Sequence, residues 1–137
     1  MEERRIAVLF YGLFMDVTIL KDRNVYPARV RRASVPGFTL RIGKRAALVP
    51  DPQGRAHGML MQLTHEEIDT LYSDPTVSMY RPEAVLCEEI DGVVEPALCF
   101  NLPSPPQMGE SNAQYAEKLR TLAKKLQLPS DYIGAII

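Results

Sequence analysis

Two cysteines, Cys87 and Cys99, and two histidines, His57 and His65, are the thiol and imidazole groups this sequence offers. A disulfide framework or a zinc ribbon needs more thiols or a tight imidazole pair, so no metal site is expected. The Asp91-Gly92 dipeptide signals a hairpin, and centring it there puts Cys87 opposite about residue 96, so the thiols do not meet. Both are expected in the core. His57, at a strand start beside Gly58, and His65, in the first turn of a helix, read as structural or surface groups. Gly12 stands without the companions of a dinucleotide or P-loop phosphate motif. It does end a buried apolar run, and a glycine there lets a ligand approach the backbone closely. The N–H groups of Leu13 or Phe14 are then donors for a small anion in a concave site.

The elements that must hold this strand end can be read along the chain. Ile6 to Tyr11 is an unbroken apolar run, expected as a strand buried on both faces. Asp16 to Asn24 reads as a short helix or loop. Arg29 to Leu40 alternates and is interrupted by Pro36-Gly37, which predicts two strand pieces. Ala46–Val49 and His57–Leu63 read as strands separated by the turn residues Pro50-Asp51-Pro52-Gln53-Gly54. Thr64 and Glu67 form a capping box for a helix to about Tyr72, burying Ile68 and Leu71 and stopped by Ser73-Asp74-Pro75. Ala84–Ile90 and Val93–Phe100 are the hairpin strands. Leu102 to Pro106 is a rigid extended connection. From Ser111 to Leu126, Tyr115, Leu119, Leu122 and Leu126 make one helical stripe, and the tail through Ile133 docks on the core.

About six strands and two clear helices, with mostly consecutive strands, predict an α+β fold. Its centre is a largely antiparallel or mixed sheet, and closure into a small barrel would remove the edges. The 137 residues fit a single domain, with the barrel over about residues 6–100 and the C-terminal helix and tail over 111–137. A net charge of -1 gives no basic surplus for nucleic acid, and Arg29, Arg31 and Arg32 read as a solvated face. The charged opening MEERR and the short apolar run after it fit neither a signal peptide nor a membrane span, so a cytoplasmic protein is expected.

The order of these segments carries a resemblance. Tyr11-Gly12-Leu13-Phe14-Met15-Asp16 closes the first strand, and Val35-Pro36-Gly37-Phe38, Val49-Pro50-Asp51-Pro52 and Gly58-Met59-Leu60 follow. The short helix then holds Ile68-Asp69-Thr70-Leu71, and Met79-Tyr80-Arg81-Pro82 leads into a strand. This series resembles the gamma-glutamylcyclotransferase-like family, which includes the gamma-glutamylamine cyclotransferases and the AIG2-like proteins. The likeness runs from about Ile6 to Phe100, and Tyr115, Leu119, Leu128-Pro129-Ser130 and Tyr132 look like the end of some members. It implies a small mixed β-barrel flanked by short helices, no cofactor, and a small gamma-glutamyl compound or other small acid as ligand. The implied pocket is formed by Tyr11, Gly12, Leu13, Phe14, Met15, Tyr72 and Tyr80. Leu13 departs from the family, which has a small hydroxyl residue there.

The larger departure is at the carboxylate. The resemblance puts a glutamate three residues after the helix aspartate, and here that position holds Tyr72, or Ser73 after a one-residue slip. The implied reaction is attack of the substrate α-amine on its own γ-carbonyl, giving 5-oxoproline and a free amine. A glutamate with raised pKa suits that proton transfer, whereas a phenol near its reference pKa of about 10 is a poor base. Asp69 lies on the same helix face as Tyr72 and is the alternative base, with a structural role as the simpler reading. Glu83 can point in or out, and Glu66 and Glu67 belong to the helix start. Arg81 is the nearest cation in sequence that could lower the Tyr72 pKa. Three functions follow as expectations: a cyclotransferase with altered or reduced catalysis, a non-catalytic binding module with the same pocket, and a scaffold using Pro103–Pro106. The missing glutamate favours the second.

Overall fold

The computed structural model describes residues 4–137, and the Met1–Glu3 part of the charged opening lies outside them. Five strands form a closed barrel: β1 (Arg5–Phe10), β2 (Ala28–Ile42), β3 (Ala46–Thr64), β4 (Arg81–Glu89) and β5 (Val94–Asn101). Around the barrel they run β1-β3-β2-β4-β5, antiparallel except where β1 meets β5. A 3₁₀ turn at Leu13–Met15 and four helices complete the fold: α1 (Val17–Asp22), α2 (His65–Tyr72), α3 (Ala113–Lys125) and α4 (Ser130–Gly134). Among the described residues no helix is long and apolar enough to cross a membrane.

The strand count falls from six to five because the expected break in the third strand is a bulge. Arg55 pairs with Pro36 and Pro50 with Phe38, so Asp51–Gly54 loop out opposite Gly37 alone. The turn chemistry is spent inside that bulge: Asp51 Oδ1 accepts the Gln53 N–H at 3.0 Å. The Pro36-Gly37 interruption is the other side of the same irregularity, with Gly37 at φ +87° and β2 continuous through it. The hairpin register also shifts by one, since Gly92 N–H closes on the Glu89 carbonyl at 2.9 Å. Cys87 therefore opposes Glu95 and Cys99 opposes Glu83, with the two thiols still unpaired and buried.

In β1, Val8, Leu9 and Phe10 are buried, but Ile6 and Ala7 are only half-buried. The reason is coverage: β5 pairs with β1 only at Val8↔Leu98 and Leu9↔Cys99, so the start of the strand projects past it. The β2–β4 junction is as short, at Ala33↔Glu89 and Ser34↔Glu88. Side chains reinforce it. Arg31 bridges Glu89 at 2.7 Å and Glu95 at 2.5 Å, while Arg55 reaches Glu88 at 2.5 Å and Ser34 Oγ at 2.8 Å.

Helix ends follow local chemistry. Asp16 caps α1 through Thr18 N–H, and the Thr64–Glu67 capping box starts α2. In α2 Leu71 is buried, while Ile68 is only partly covered. On α3, Ala116, Leu119, Leu122 and Ala123 are buried, and Tyr115 sits at the edge of that stripe. The helix ends in a Schellman motif: Leu128 N–H reaches Ala123 O, Gln127 N–H reaches Lys124 O, and Gln127 takes φ +60°. The turn aims Leu128, Ile133 and Ile136 back into the core.

Candidate functional site

The end of β1 opens into a cavity of about 330 Å³. Tyr11, Gly12, Leu13, Phe14, Tyr72 and Tyr80 all line it. Of the expected pocket residues Met15 does not, because the 3₁₀ turn rotates it into the core, where it is 1% exposed. Asp69 lies on the exposed side of α2, away from the cavity. Glu66 is exposed, and Glu67 is occupied by the Thr64 and Tyr26 N–H groups. Glu83 is exposed on β4. Among the described residues lining the cavity there is no carboxylate.

Each phenol is placed by a different element. Tyr11, at the end of β1, donates toward Phe100 O at 3.0 Å, with Asn101 Oδ1 at 3.3 Å. Asn101 is itself locked by Leu48, through Oδ1 at 3.0 Å and Nδ2 at 2.7 Å. Tyr80 donates to Ala46 O at 2.6 Å. Tyr72, in the last turn of α2, stacks on Phe100 with centroids 3.9 Å apart and meets Phe14 edge-on at 6.1 Å. None of the hydrogen bonds that tie down Tyr11 and Tyr80 engages it. The fourth phenol, Tyr115, comes from α3, and its hydroxyl lies against Gly12.

Beside the Leu13 N–H, expected to face an anion or water, the Tyr115 hydroxyl packs against Gly12. The cause is packing: the first turn of α3 covers the strand end and delivers its phenol there. The sequence marked Tyr115 as part of a helical stripe and of a tail like that of some family members, not as a pocket residue. A polar tip on an otherwise aliphatic stripe was the available signal.

All four phenols have pKa values above the ordinary tyrosine value, and burial is the main cause for each. For Tyr72 the neighbouring Cys99 and Tyr80 add to it. Arg81, the cation proposed from the sequence to lower that pKa, instead donates to Ser78 O at 2.8 Å and Tyr80 O at 3.2 Å. The phenols of the wall are therefore neutral at neutral pH and unsuited to taking a proton; Tyr11 and Tyr80 spend their hydroxyl protons on backbone carbonyls, which leaves Tyr72 as the donor for a ligand oxygen.

Charge enters the cavity as cations. Arg23, Lys44 and Arg45 line it. Arg23 lies over the Phe14 ring at 5.3 Å and pairs with Asp74 at 2.8 Å. Asp74 is held down to about 2, first by the Thr76 N–H, then by the Thr76 hydroxyl and Arg23. Arg45 donates to Thr76 O at 2.6 Å, so both arginines fasten the segment after α2, whose Thr76 and Val77 form one wall. These three cations were not singled out from the sequence, because Arg23 follows α1 and Lys44-Arg45 sit in the β2–β3 turn, two segments with no sequence relation to each other or to Tyr11-Gly12.

No family model matches the sequence, and no curated protein matches it. Solved structures do. A structure described as gamma-glutamyl cyclotransferase superposes with a TM-score of 0.80 at 16% identity, over 98% of this chain and 89% of that one. An uncharacterized protein from Homo sapiens gives 0.79 at 19% identity over the same shares. An aig2-like protein from Mus musculus gives 0.59 at 15% identity, over 81% of this chain and 90% of that one. The chain has the gamma-glutamylcyclotransferase-like fold: a small closed barrel with a few short helices.

Proposed function

We propose that this chain binds a small gamma-glutamyl compound in the tyrosine-lined cavity and releases 5-oxoproline from it slowly or not at all. The observation that carries the reading is the lining itself, four neutral phenols and three cations without a carboxylate. Cyclisation needs a group to take a proton from the attacking ammonium and return it to the leaving amine. Tyr72, at the position where the resemblance expects glutamate, can donate a hydrogen bond to the γ-carbonyl oxygen and polarise it. Its raised pKa keeps it from collecting the ammonium proton. Absence of a general acid–base typically costs about 10²–10⁴ in rate.

The test is a paired measurement of ligand binding and 5-oxoproline formation on wild type and Tyr72→Glu. Binding by both, with turnover appearing or rising steeply in Tyr72→Glu, supports a pocket that has kept its ligand and lost its base. Rapid wild-type turnover that disappears in Asp69→Asn would show an enzyme whose base is elsewhere. No binding of any gamma-glutamyl compound would remove the reading.

A further inference from the structure

We propose that the cavity between α4 and the β2–β3 pair is a second binding site, for a small zwitterion that carries a carboxylate and an ammonium group. The cavity holds about 390 Å³ and shares no lining residue with the tyrosine-lined one. The inference therefore stands apart from the reading of the preceding subsection.

Two irregularities of the fold build it. Thr39 and Leu40 lie on one side of the Gly37 bulge and Arg55 and His57 on the other, and all four line the cavity. The cavity thus straddles the point where the ladder is interrupted, and such interruptions re-aim the side chains beside them. The facing wall is the segment that turns back after α3, which contributes Pro129, Asp131, Tyr132 and Ala135.

The polar groups here are positioned but not spent. Arg55 uses a single guanidinium nitrogen, on Ser34 Oγ at 2.8 Å and Glu88 at 2.5 Å, so side-chain contacts hold the group while its other N–H donors stay open among the described residues. Half-buried His57 meets the Tyr132 ring edge-on, with centroids 4.9 Å apart. Burial and then the Arg55 charge lower the His57 pKa, so the ring is neutral at neutral pH and keeps one N–H to donate. Asp131 forms no ion pair among the described residues. Donors for a carboxylate and an unanswered carboxylate for an ammonium therefore share one cavity. A plain anion meets the Asp131 charge there and a plain cation that of Arg55, whereas a molecule with both signs is attracted at both ends. Leu40, Pro129, Ala135 and Ile136 give its carbon chain an apolar surface.

The experiment reads the site through its own histidine. The chain has two, and His65 is exposed and lines neither cavity, so proton NMR of the imidazole resonances carries an internal control. The intact protein is titrated at pH 7.5 with norleucine and 6-aminohexanoate, isomeric zwitterions with charges close together or far apart, and with hexanoate and hexylamine, which keep one charge each. At least one zwitterion is expected to move the His57 resonances and leave those of His65 in place, with an affinity about fivefold above both single-charge probes. A lead for either isomer supports the site and reads its charge spacing. Asp131→Asn is expected to bring the zwitterion down to the affinity of hexanoate, with the His57 resonances of the free variant showing that the fold is kept. No shift of His57 with any probe, or hexanoate or hexylamine equalling both zwitterions in wild type, overturns the proposal. A zwitterion preference unchanged in Asp131→Asn overturns it as well. Binding that leaves His57 unmoved belongs to the tyrosine-lined cavity and counts against this site, leaving the ligand reading there untouched.

Discussion

The Tyr115 hydroxyl lies 2.6 Å from the point where a β-carbon on Gly12 would sit. Gly12 has an ordinary extended backbone, φ −110° and ψ −152°, so conformational freedom does not explain the glycine here; space does. Gly12→Ala is expected to cost about 1–3 kcal/mol by overpacking. In a Tyr115→Phe background, with the hydroxyl gone, most of that cost should disappear. Equal penalties in the two backgrounds, measured by denaturant unfolding, would mean the contact is not what excludes a side chain.

Tyr72 and Tyr80 should respond differently to loss of the hydroxyl. Tyr80 donates to Ala46 O at 2.6 Å, and Tyr80→Phe is expected to cost about 1–2 kcal/mol. Tyr72 is held by stacking on Phe100, which a phenylalanine preserves, so Tyr72→Phe should change stability by less than about 0.5 kcal/mol. A large loss in Tyr72→Phe would reveal a hydrogen bond in solution that this structure lacks.

His57 makes stability depend on pH. Burial first, then Arg55, lowers its pKa from the ordinary 6.5. The unfolded chain therefore takes up this proton more readily, and stability falls as the pH drops through about 6.5 toward the lower folded value. Urea midpoints at several pH values between 8 and 5 should show the decline. His57→Gln should flatten it, and a slope that persists unchanged in that variant would place the titrating group elsewhere.

Both thiols should resist alkylation in the folded protein. Burial is the main cause lifting Cys87 to about 11 and Cys99 to about 12, so almost no thiolate exists at pH 8. Mass spectrometry after iodoacetamide treatment is expected to show reaction only as fast as the protein opens. Immediate labelling at either site would contradict the burial.

Gln127 occupies a left-handed position that ends α3, where glycine is favoured. Gln127→Gly should raise stability by about 1 kcal/mol. Arg32 donates to the Gln127 carbonyl at 2.9 Å, a contact that needs no side chain and is kept by glycine. A lower melting temperature in Gln127→Gly would show that the glutamine side chain contributes more than the backbone costs.

What the sequence disclosed followed from local signals. The Thr64–Glu67 capping box, the apolar β1 run and the α3 stripe each state their structure within a few residues, and each is present. Breaks were harder to read. Pro50 to Gly54 has the composition of a turn, yet the long pairing of β2 with β3 carries the strand past it and makes it a bulge. The site divides the same way. Tyr11, Gly12 and their followers adjoin a recognisable strand end, whereas Arg23, Lys44, Arg45 and Tyr115 reach the cavity only through tertiary packing.

The short β1–β5 and β2–β4 junctions have a mechanical consequence. Strands β1, β3 and β2 are stitched by long ladders, while the β4–β5 hairpin joins them through two residue pairs on each side. The hairpin is a hatch in an otherwise firmly seamed wall. Phe100 hangs on it, and with Phe100 go the stacking partner of Tyr72 and the carbonyl that receives Tyr11. Any opening of the hatch that left the other three strands paired would take Phe100 out of the cavity wall.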